Sequence, residues 1–228
     1  MFLTSFPAGP WQANCYVFAP DGTRTVVVDP GVGAAEAVFR IVEENGLTVE
    51  GVLLSHGHID HVATAAEVAD RYGVPAWIHE ADRELLTDSG LPGVSADLLA
   101  GLGVVLREPA DLRVWSGGER LAIAATTFEV VHAPGHRPGC VILRNALGAA
   151  PGEAHGVREL VFSGDVVFAG SIGRTDLPGG DQAAMLDSLR TVVLGLPDDA
   201  VLLPGHGPRT SVARERATNP YLQPSFLG

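Results

Sequence analysis

The chain contains no lysine and only two cysteines in 228 residues. All its basic residues are arginine, 15 in number, against 27 acidic residues, so the formal net charge is −12. A surface this acidic repels phosphate backbones and anionic lipid, and we therefore expect no nucleic-acid partner and no membrane partner. Cys15 and Cys140 are too few for a disulfide framework, so we expect both to be small buried hydrophobic residues.

Long apolar runs are also missing. The nearest candidate, residues 98–106, has about half of the ~20 residues that a membrane-spanning helix needs. The first residues carry no basic segment and reach Pro7 before any long apolar run, which is unlike a signal peptide. We therefore predict a cytoplasmic location. The length and the hydrophobic fraction of 46% predict one domain, residues 1–228, with a substantial core.

Short apolar runs alternate with amphipathic segments in both halves of the chain. Strands are predicted at residues 15–19, 25–28, 51–54, 76–78, 112–115, 120–124, 127–131, 140–143, 160–163 and 201–203. Helices are predicted at 34–44, 62–71 and 181–194, with helical pieces between 80 and 106 and a loop at 145–158. This mixture predicts a layered α/β fold with helices on both outer faces of the sheets.

The most informative segment is SHGHIDH at residues 55–61, which directly follows a predicted buried strand. Because side chains of an extended segment alternate, His56 and His58 lie on the same side. Asp60 and His61 enter the next helix and can point to a second position nearby. Four metal-binding side chains within six residues favour a metal motif over a solvated polar loop.

Three later residues lie in the same kind of place, in glycine-rich or proline-rich loops after apolar strands. They are His136, Asp165 and His206. Since rigid strand ends present loop residues to a shared cleft, we expect them to complete two sets of ligands. Imidazole and carboxylate suit zinc, iron or manganese, and the absence of cysteine ligands argues against a closed structural zinc site. The pattern predicts metal-assisted hydrolysis.

These motifs resemble the metallo-β-lactamase superfamily, and most closely its small glyoxalase II-like hydrolases. The likeness runs almost end to end, through FPAGPWQANCYVF, VVDPG, LLSHGHIDH, HAPGHRPG, FSGDVVFAGSIGRTDLPGG, LLPGHGP and ERATNPYL. It implies an αββα four-layer sandwich with mixed sheets and with the metals at one edge. It also implies two divalent ions, with zinc first expected and iron or manganese compatible, and a thioester substrate cleaved by a hydroxide between them.

The resemblance further implies a role for each candidate residue. The first ion would be bound by His56, His58 and His136, the second by Asp60, His61 and His206, with Asp165 bridging the two. Asp60 and Asp165 would be the catalytic carboxylates. Asp29, in VVDPG, would fix the metal-binding loop without touching metal. Arg174 and Asp176 fall where longer relatives use a lysine and a tyrosine to bind glutathione.

The thiol carrier is an open question at this stage. Longer glyoxalase II proteins add a helical domain that contacts glutathione, and we expect none here because few residues follow His206. Arg174 can pair bidentately with a substrate carboxylate. Asp176 cannot replace a tyrosine hydroxyl and could instead support Arg174. The predicted substrate is an S-(2-hydroxyacyl) thiol, such as S-lactoylglutathione or a thioester of another carrier, and the protein is expected to be a monomer or homodimer.

Several other activities are compatible with related motifs. Persulfide dioxygenases share the HxHxDH frame but use one iron, at the positions of His56, His136 and Asp165. They usually have an aspartate where this chain has Gly207, which favours the dinuclear hydrolase. A lactonase on the same two metals stays open. True β-lactamases normally lack a histidine at the position of His61 and carry a cysteine in place of Asp165, so the sequence disfavours β-lactamase activity. Nuclease, flavodiiron and ligand-free scaffold relatives are disfavoured.

Some polar and aromatic residues lie outside the motifs. We expect His132 to be a strand residue or a neighbour of the ligands, His79 to be on the surface and His155 to be in a loop. The tryptophans are expected in the core or in a pocket wall. Arg137, next to a predicted ligand, either reaches a substrate anion or faces solvent.

Overall fold

The computed structural model describes residues 1–91, 94–147 and 159–228. Two six-stranded mixed sheets contain most of the strands, and helices cover both outer faces. The predicted αββα sandwich is confirmed. The predicted loop at 145–158 is wrong at its start, because Asn145 is buried within a strand, and residues 148–158 lie outside the described residues.

The first sheet is built from the N-terminal half of the chain. Its strands, in their order across the sheet, are β1 (Phe2–Ala8), β2 (Ala13–Ala19), β3 (Arg24–Val28), β4 (Thr48–Leu53), β5 (Ala76–His79) and β6 (Leu112–Trp115). Strands β3 to β6 pair in parallel, so their C-terminal ends lie at one edge.

The second sheet comes from the C-terminal half. Its strands are β7 (Arg120–Ile123), β8 (Thr126–His132), β9 (Val141–Ala146), β10 (Glu159–Gly164), β13 (Val201–Pro204) and β14 (Thr210–Ser211), in the order β14-β13-β10-β9-β8-β7. A small hairpin, β11 (Val167–Phe168) and β12 (Ser171–Ile172), follows β10. Strands β8, β10 and β13 run in the same direction, so the loops that follow them meet at one edge.

Helices occupy the outer layers and the connections. The α-helices are α1 (Ala35–Glu44), α2 (Ile59–Val62), α3 (Ala65–Tyr72), α4 (Ala96–Gly101), α5 (Gln182–Thr191), α6 (Val212–Thr218) and α7 (Pro224–Leu227). Short 3-10 helices lie at Glu80–Leu86, Val193–Gly195 and Pro220–Leu222. Among the described residues, no helix is both long and apolar enough to cross a membrane.

Aromatic side chains join the two sheets. Phe18 from the first sheet packs against Phe128 and Phe162 from the second, at ring-centroid distances of 6.2 and 5.8 Å. All three rings are at most 1% exposed. Burying each of them contributes roughly 2–3 kcal/mol to stability. The two strand-end edges are thereby held together, which is what brings the loops of both halves to one place.

Several elements differ from the sequence prediction, and the short β11, β12, β14, α6 and α7 were not predicted. The helix predicted at 62–71 is split into α2 and α3 at Thr64, because its hydroxyl and amide both bond to the Pro30 carbonyl instead of continuing one helix. Strand β1 was not predicted. It pairs only with β2 at the sheet edge, and its side chains are mostly part-exposed, so its sequence lacks a clear apolar run.

Candidate metal centre

Three imidazoles from two loops meet at one point. His56 and His58 follow β4, and His136 follows β8. His58 Nδ1 lies 3.2 Å from His56 Nε2 and 2.7 Å from His136 Nε2. All three residues are at most 3% exposed. We call them the three-nitrogen set. Three buried imidazole nitrogens converging at these distances are typical of a transition-metal ligand set.

A second group adjoins the first. Asp60 Oδ2 lies 3.2 Å from His206 Nε2 and 3.7 Å from His61 Nε2. We call Asp60, His61 and His206 the carboxylate set. Asp165 lies between the two sets: its Oδ1 is 3.4 Å from His61 Nε2, and its Oδ2 is 3.4 Å from His136 Nε2. The structure thus brings all seven predicted ligands together, with Asp165 facing both sets.

Hydrogen bonds to the outer nitrogens orient three of these rings. The contacts join His56 Nδ1 to Ser55 Oγ (3.0 Å), His61 Nδ1 to Asp29 Oδ2 (3.1 Å) and His136 Nδ1 to the Arg174 carbonyl (2.7 Å). Each contact leaves the other nitrogen of the ring to face the centre. Within the described residues, His61 Nε2 and Asp165 Oδ1 are buried without a hydrogen-bond partner. The donor set therefore fits two divalent ions.

Asp29 lies at the end of β3 with a left-handed backbone, φ 52°, and is 2% exposed. Its Oδ1 accepts the Ser55 N–H at 2.8 Å and its Oδ2 accepts the Ser55 hydroxyl at 2.6 Å. A non-glycine residue in this conformation costs on the order of 1–3 kcal/mol. These hydrogen bonds offset that strain, and they give Asp29 the position expected of a residue that fixes the metal-binding loop.

Two glycines are required by close approach to Asp165. A Cβ at Gly205 would lie 2.1 Å from Asp165 Oδ1 and 2.7 Å from His61 Cε1. A Cβ at Gly173 would lie 1.9 Å from the Asp165 carbonyl oxygen. A side chain at Gly205 would displace the Asp165 carboxylate, and one at Gly173 would displace the backbone that carries it.

The loop that carries the last predicted ligand is fixed by strand β2. Asn14 donates from Nδ2 to the carbonyls of Pro204 and Gly207, both at 2.9 Å, and its backbone N–H donates to the Gly205 carbonyl at 2.7 Å. The Tyr16 hydroxyl donates to the same Pro204 carbonyl at 2.6 Å. Sequence reasoning did not single out Asn14 or Tyr16, because nothing in QANCYVF marks a partner so far along the chain.

Burial and charge act in opposite directions on the two sets. Burial, with the neighbouring imidazoles, lowers the pKa of His56 well below its ordinary value and that of His58 to about 3. Burial would also lower the pKa of His61, but Asp165 and Asp60 outweigh it and raise that pKa to about 10. In the metal-free chain near neutral pH, His56 and His58 are therefore uncharged, whereas His61 is charged and pairs with Asp165 and Asp60.

The centre opens onto a cleft of about 610 Å³. Most of its wall is apolar, formed by Trp11, Ile59, Leu91, Val94, Leu98, Phe168, Ile172 and Leu177. Arg174 is the one cationic side chain among the described residues that line it. Its guanidinium makes two bonds to Asp176, at 2.6 and 2.7 Å, and both side chains are exposed. Because an exposed ion pair contributes little, a substrate carboxylate can replace Asp176 as the partner of Arg174.

The prediction that His79 is on the surface is wrong. His79 is 7% exposed, because β5 extends to it and its ring stacks on His132, with centroids 4.3 Å apart and planes 9° apart. Burial lowers its pKa, and His132 adds to that effect. His132 lies on β8 with Nε2 2.7 Å from the Pro138 carbonyl, as expected for a strand residue outside the ligand sets. His155 lies outside the described residues.

Arg137 takes neither of the positions considered for it. It is 6% exposed, its Nε lies 3.5 Å from Asp82 Oδ1, and its guanidinium donates to the Pro178 carbonyl. Asp82, which sequence reasoning missed, is fully buried beside it. Of the tryptophans, Trp11 lines the cleft while Trp77 and Trp115 are buried, as predicted. Both cysteines are free and buried, also as predicted.

The sequence matches that of known proteins over nearly its whole length. The profile of the metallo-beta-lactamase superfamily matches residues 8–206. An uncharacterised protein of Mycobacterium tuberculosis is 42% identical over 227 residues, 98% of each chain. The hydroxyacylglutathione hydrolase GloC of Haemophilus influenzae is 33% identical over 230 residues, covering 97% of this chain and 98% of the relative.

The similarity to solved structures also covers nearly the whole chain. The B3 metallo-beta-lactamase BLEG-1 is 38% identical with a TM-score of 0.81, over 97% of this chain and 99% of that one. TTHA1623, solved in a di-iron-bound form, is 33% identical with a TM-score of 0.75, over 97% of this chain and 100% of that one.

Proposed function

The chain belongs to the metallo-β-lactamase superfamily of metal-dependent hydrolases, and from that premise we propose that it is a dinuclear thioesterase of the hydroxyacylglutathione hydrolase type. The observation that carries the proposal is the position of Asp165, within 3.4 Å of a nitrogen from each ligand set. A site for one ion needs only one of these sets. The similarity to GloC over nearly the full length of both chains supports a thioester as the substrate.

The residues of the centre suit hydrolysis of an activated carbonyl. Two divalent ions held by the two sets would acidify a water molecule and polarise the carbonyl of a bound thioester. Asp60 and Asp165 are the carboxylates of the centre, and we propose that they fix the ion spacing and the reacting groups. A thiol leaves as the thiolate and needs no proton donor, and every titratable side chain among the described residues of the cleft already has a role as a ligand, apart from Arg174.

The cleft supplies the binding energy. Its apolar wall can cover the acyl group and exclude bulk water from the reacting carbonyl. Arg174 can pair with a carboxylate of the thiol carrier, with Asp176 holding the guanidinium until the substrate arrives. The Arg174 carbonyl also accepts the hydrogen bond from His136 Nδ1, so the substrate-binding segment and the three-nitrogen set are fixed to each other.

The direct test is hydrolysis of S-D-lactoylglutathione by zinc-loaded protein, followed by loss of thioester absorbance. We expect kcat/KM above about 10⁴ M⁻¹ s⁻¹, the lower end for a natural substrate. The matched control is Asp165→Asn, which keeps the side-chain shape but removes the charge between the sets. If the protein hydrolyses a lactoyl thioester of an uncharged thiol but not S-D-lactoylglutathione, the thiol carrier is not glutathione. If both thioesters are hydrolysed only at the background rate, the proposal of a thioesterase is wrong.

The metals require a separate measurement. We propose zinc, although iron fits the same ligands and TTHA1623 was solved in a di-iron-bound form. Metal analysis of protein purified without added metal gives the identity and the stoichiometry, which we expect to be two ions per chain. Oxygen consumption by iron-loaded protein with glutathione persulfide would favour the dioxygenase, and fast opening of a lactone would favour a lactonase.

The similarity to BLEG-1 supports a second candidate, β-lactam hydrolysis. In the sequence, the presence of His61 and the absence of a cysteine at the position of Asp165 disfavour a β-lactamase. A protein 38% identical to this chain is a B3 metallo-beta-lactamase, which is why we keep β-lactam hydrolysis as the second candidate. Nitrocefin hydrolysis by the same zinc-loaded sample tests it directly. We expect kcat/KM for nitrocefin to be lower than for the thioester, and the reverse order would make β-lactams the better substrate class.

A further inference from the structure

We infer that Asp82 positions the three-nitrogen set by clamping together the two loops that carry it. Asp82 lies in the 3-10 helix Glu80–Leu86, and its side chain is fully buried. It belongs to neither ligand set. The inference rests on the metal centre of the proposed function, but it does not depend on the substrate.

Each carboxylate oxygen of Asp82 bonds to a different loop. Oδ2 accepts the Gly57 N–H at 2.9 Å, and Oδ1 accepts the Gly139 N–H at 3.0 Å. Gly57 separates the two histidines of the first loop, and Gly139 lies in the loop that carries the third, His136. One buried side chain therefore sets the separation of the two backbones from which all three imidazoles extend.

His58 depends on this clamp more than its neighbours do. The outer nitrogens of His56 and His136 are each fixed by a hydrogen bond. The outer nitrogen of His58, Nε2, is buried and has no hydrogen-bond partner in the part of the chain that the structure describes. Its ring orientation therefore rests on the backbone of residues 57–58, and the Gly57 N–H is the group that Asp82 binds.

The surroundings are shaped for this carboxylate. A Cβ at Gly139 would lie 2.5 Å from Asp82 Cγ, so only glycine allows the close approach. Arg137 supplies the opposite charge, with Nε 3.5 Å from Oδ1, which reduces the cost of burying a carboxylate. The Arg137 guanidinium also donates to the Pro178 carbonyl, in the segment next to the cleft residue Leu177.

Asp82→Asn tests the clamp with little change of shape. Its amide oxygen can accept one of the two N–H groups, but its NH₂ then faces the other donor. Zinc affinity is measured by chelator competition in two backgrounds, one in which Asp60→Ala leaves the three-nitrogen set and one in which His58→Ala leaves the carboxylate set. We expect the affinity to fall roughly 10–100-fold in the first background and to stay unchanged in the second.

Glu215→Gln is the matched control. Glu215, in α6, is also a buried carboxylate, 1% exposed, and accepts the Gly170 N–H and the Thr210 hydroxyl. We expect it to lower the melting temperature while both zinc affinities stay at the parent values. If folded Asp82→Asn lowers both affinities equally, or lowers neither, the positioning role is wrong.

A measurement on the unaltered chain covers the case in which Asp82→Asn does not fold. Long-range NMR couplings across hydrogen bonds should link the Gly57 and Gly139 amide nitrogens to the carboxylate carbon of Asp82. Absence of both couplings in the zinc-loaded protein would overturn the inference. An unaltered chain that binds no divalent metal would overturn the proposed function as well, whereas metal binding that ignores Asp82→Asn would overturn the clamp alone.

Discussion

The two halves of the chain contribute to the metal centre in different ways. The N-terminal half supplies four candidate ligands from the loop after β4 and the helix α2 that follows it, whereas the C-terminal half supplies one each from the loops after β8, β10 and β13. The first group is oriented by hydrogen bonds that the buried carboxylates of Asp29 and Asp82 accept. The second is fixed by close backbone packing, as at Gly205, and by hydrogen bonds that Asn14, Tyr16 and Asp82 form with its loops. The local group thus relies on carboxylates of its own half, whereas the loops of the dispersed group are fixed in part by residues of the other half.

The largest expected effect comes from removing the residue that faces both groups. Asp165→Ala should lower kcat/KM by about 10³-fold or more and reduce the metal content below two ions per chain. His58→Ala should have a comparable effect from the N-terminal half, because it removes one of three nitrogens. Activity assays, metal analysis and circular dichroism check this. Full turnover by a correctly folded Asp165→Ala protein would show that Asp165 is not needed by the two ligand sets.

The next effect tests the packing in the C-terminal half. Gly205→Ala should displace Asp165 and His61, because its Cβ would lie 2.1 Å from Asp165 Oδ1. Overpacking of this kind costs about 1–3 kcal/mol, and we expect one zinc ion to be lost with activity reduced by about 100-fold. Gly195→Ala is the control, since its Cβ would meet nothing within 4 Å. Equal metal content in the two variants would contradict the packing argument.

A smaller effect is expected from the N-terminal half. Asp29→Asn keeps a residue type that tolerates the left-handed backbone but loses an acceptor for Ser55 or His61. We expect zinc affinity to fall about 10-fold, the lower end for such partners of metal ligands, with stoichiometry retained at saturating zinc. Chelator competition measures it. A loss of zinc affinity larger than the one that Gly205→Ala causes would contradict the expected order of these two effects.

The smallest effect concerns one buried thiol from each half. Burial raises the pKa of Cys15, with Asp29 adding to it, and burial raises that of Cys140, with Asp82 adding to it. Both thiols should stay unreactive to a disulfide reagent at pH 8 until the chain unfolds. Thiols of the unfolded chain ionise near the ordinary cysteine pKa of about 8.5, while the folded ones stay protonated. Stability should therefore fall as the pH rises above that value. Rapid reaction of either thiol with the reagent in the folded protein would contradict the burial of that thiol.

The contrast between the halves also explains what the sequence could predict. The segment at residues 56–61 was recognisable because its candidate ligands are adjacent, and most strands were predicted because they are short apolar runs between turn residues. Strand β1 lacks such a run. The positions of His79 and Arg137 were misjudged because their burial comes from His132 and Asp82, which are distant in the sequence. Asp82 itself carries no local sign that it would bond to two loops.

The hydrogen bonds from Asn14 and Tyr16 to the loop of the last ligand have a consequence for biosynthesis. They join residues 190 and 188 positions apart. Closing so long a loop costs entropy that is recovered only when both sheets have packed, so these contacts form late in folding. A chain still emerging from the ribosome before His206 is made lacks one member of the carboxylate set. The carboxylate set is therefore complete only late in folding, and we expect any ion that it binds to be taken up after the two sheets have packed.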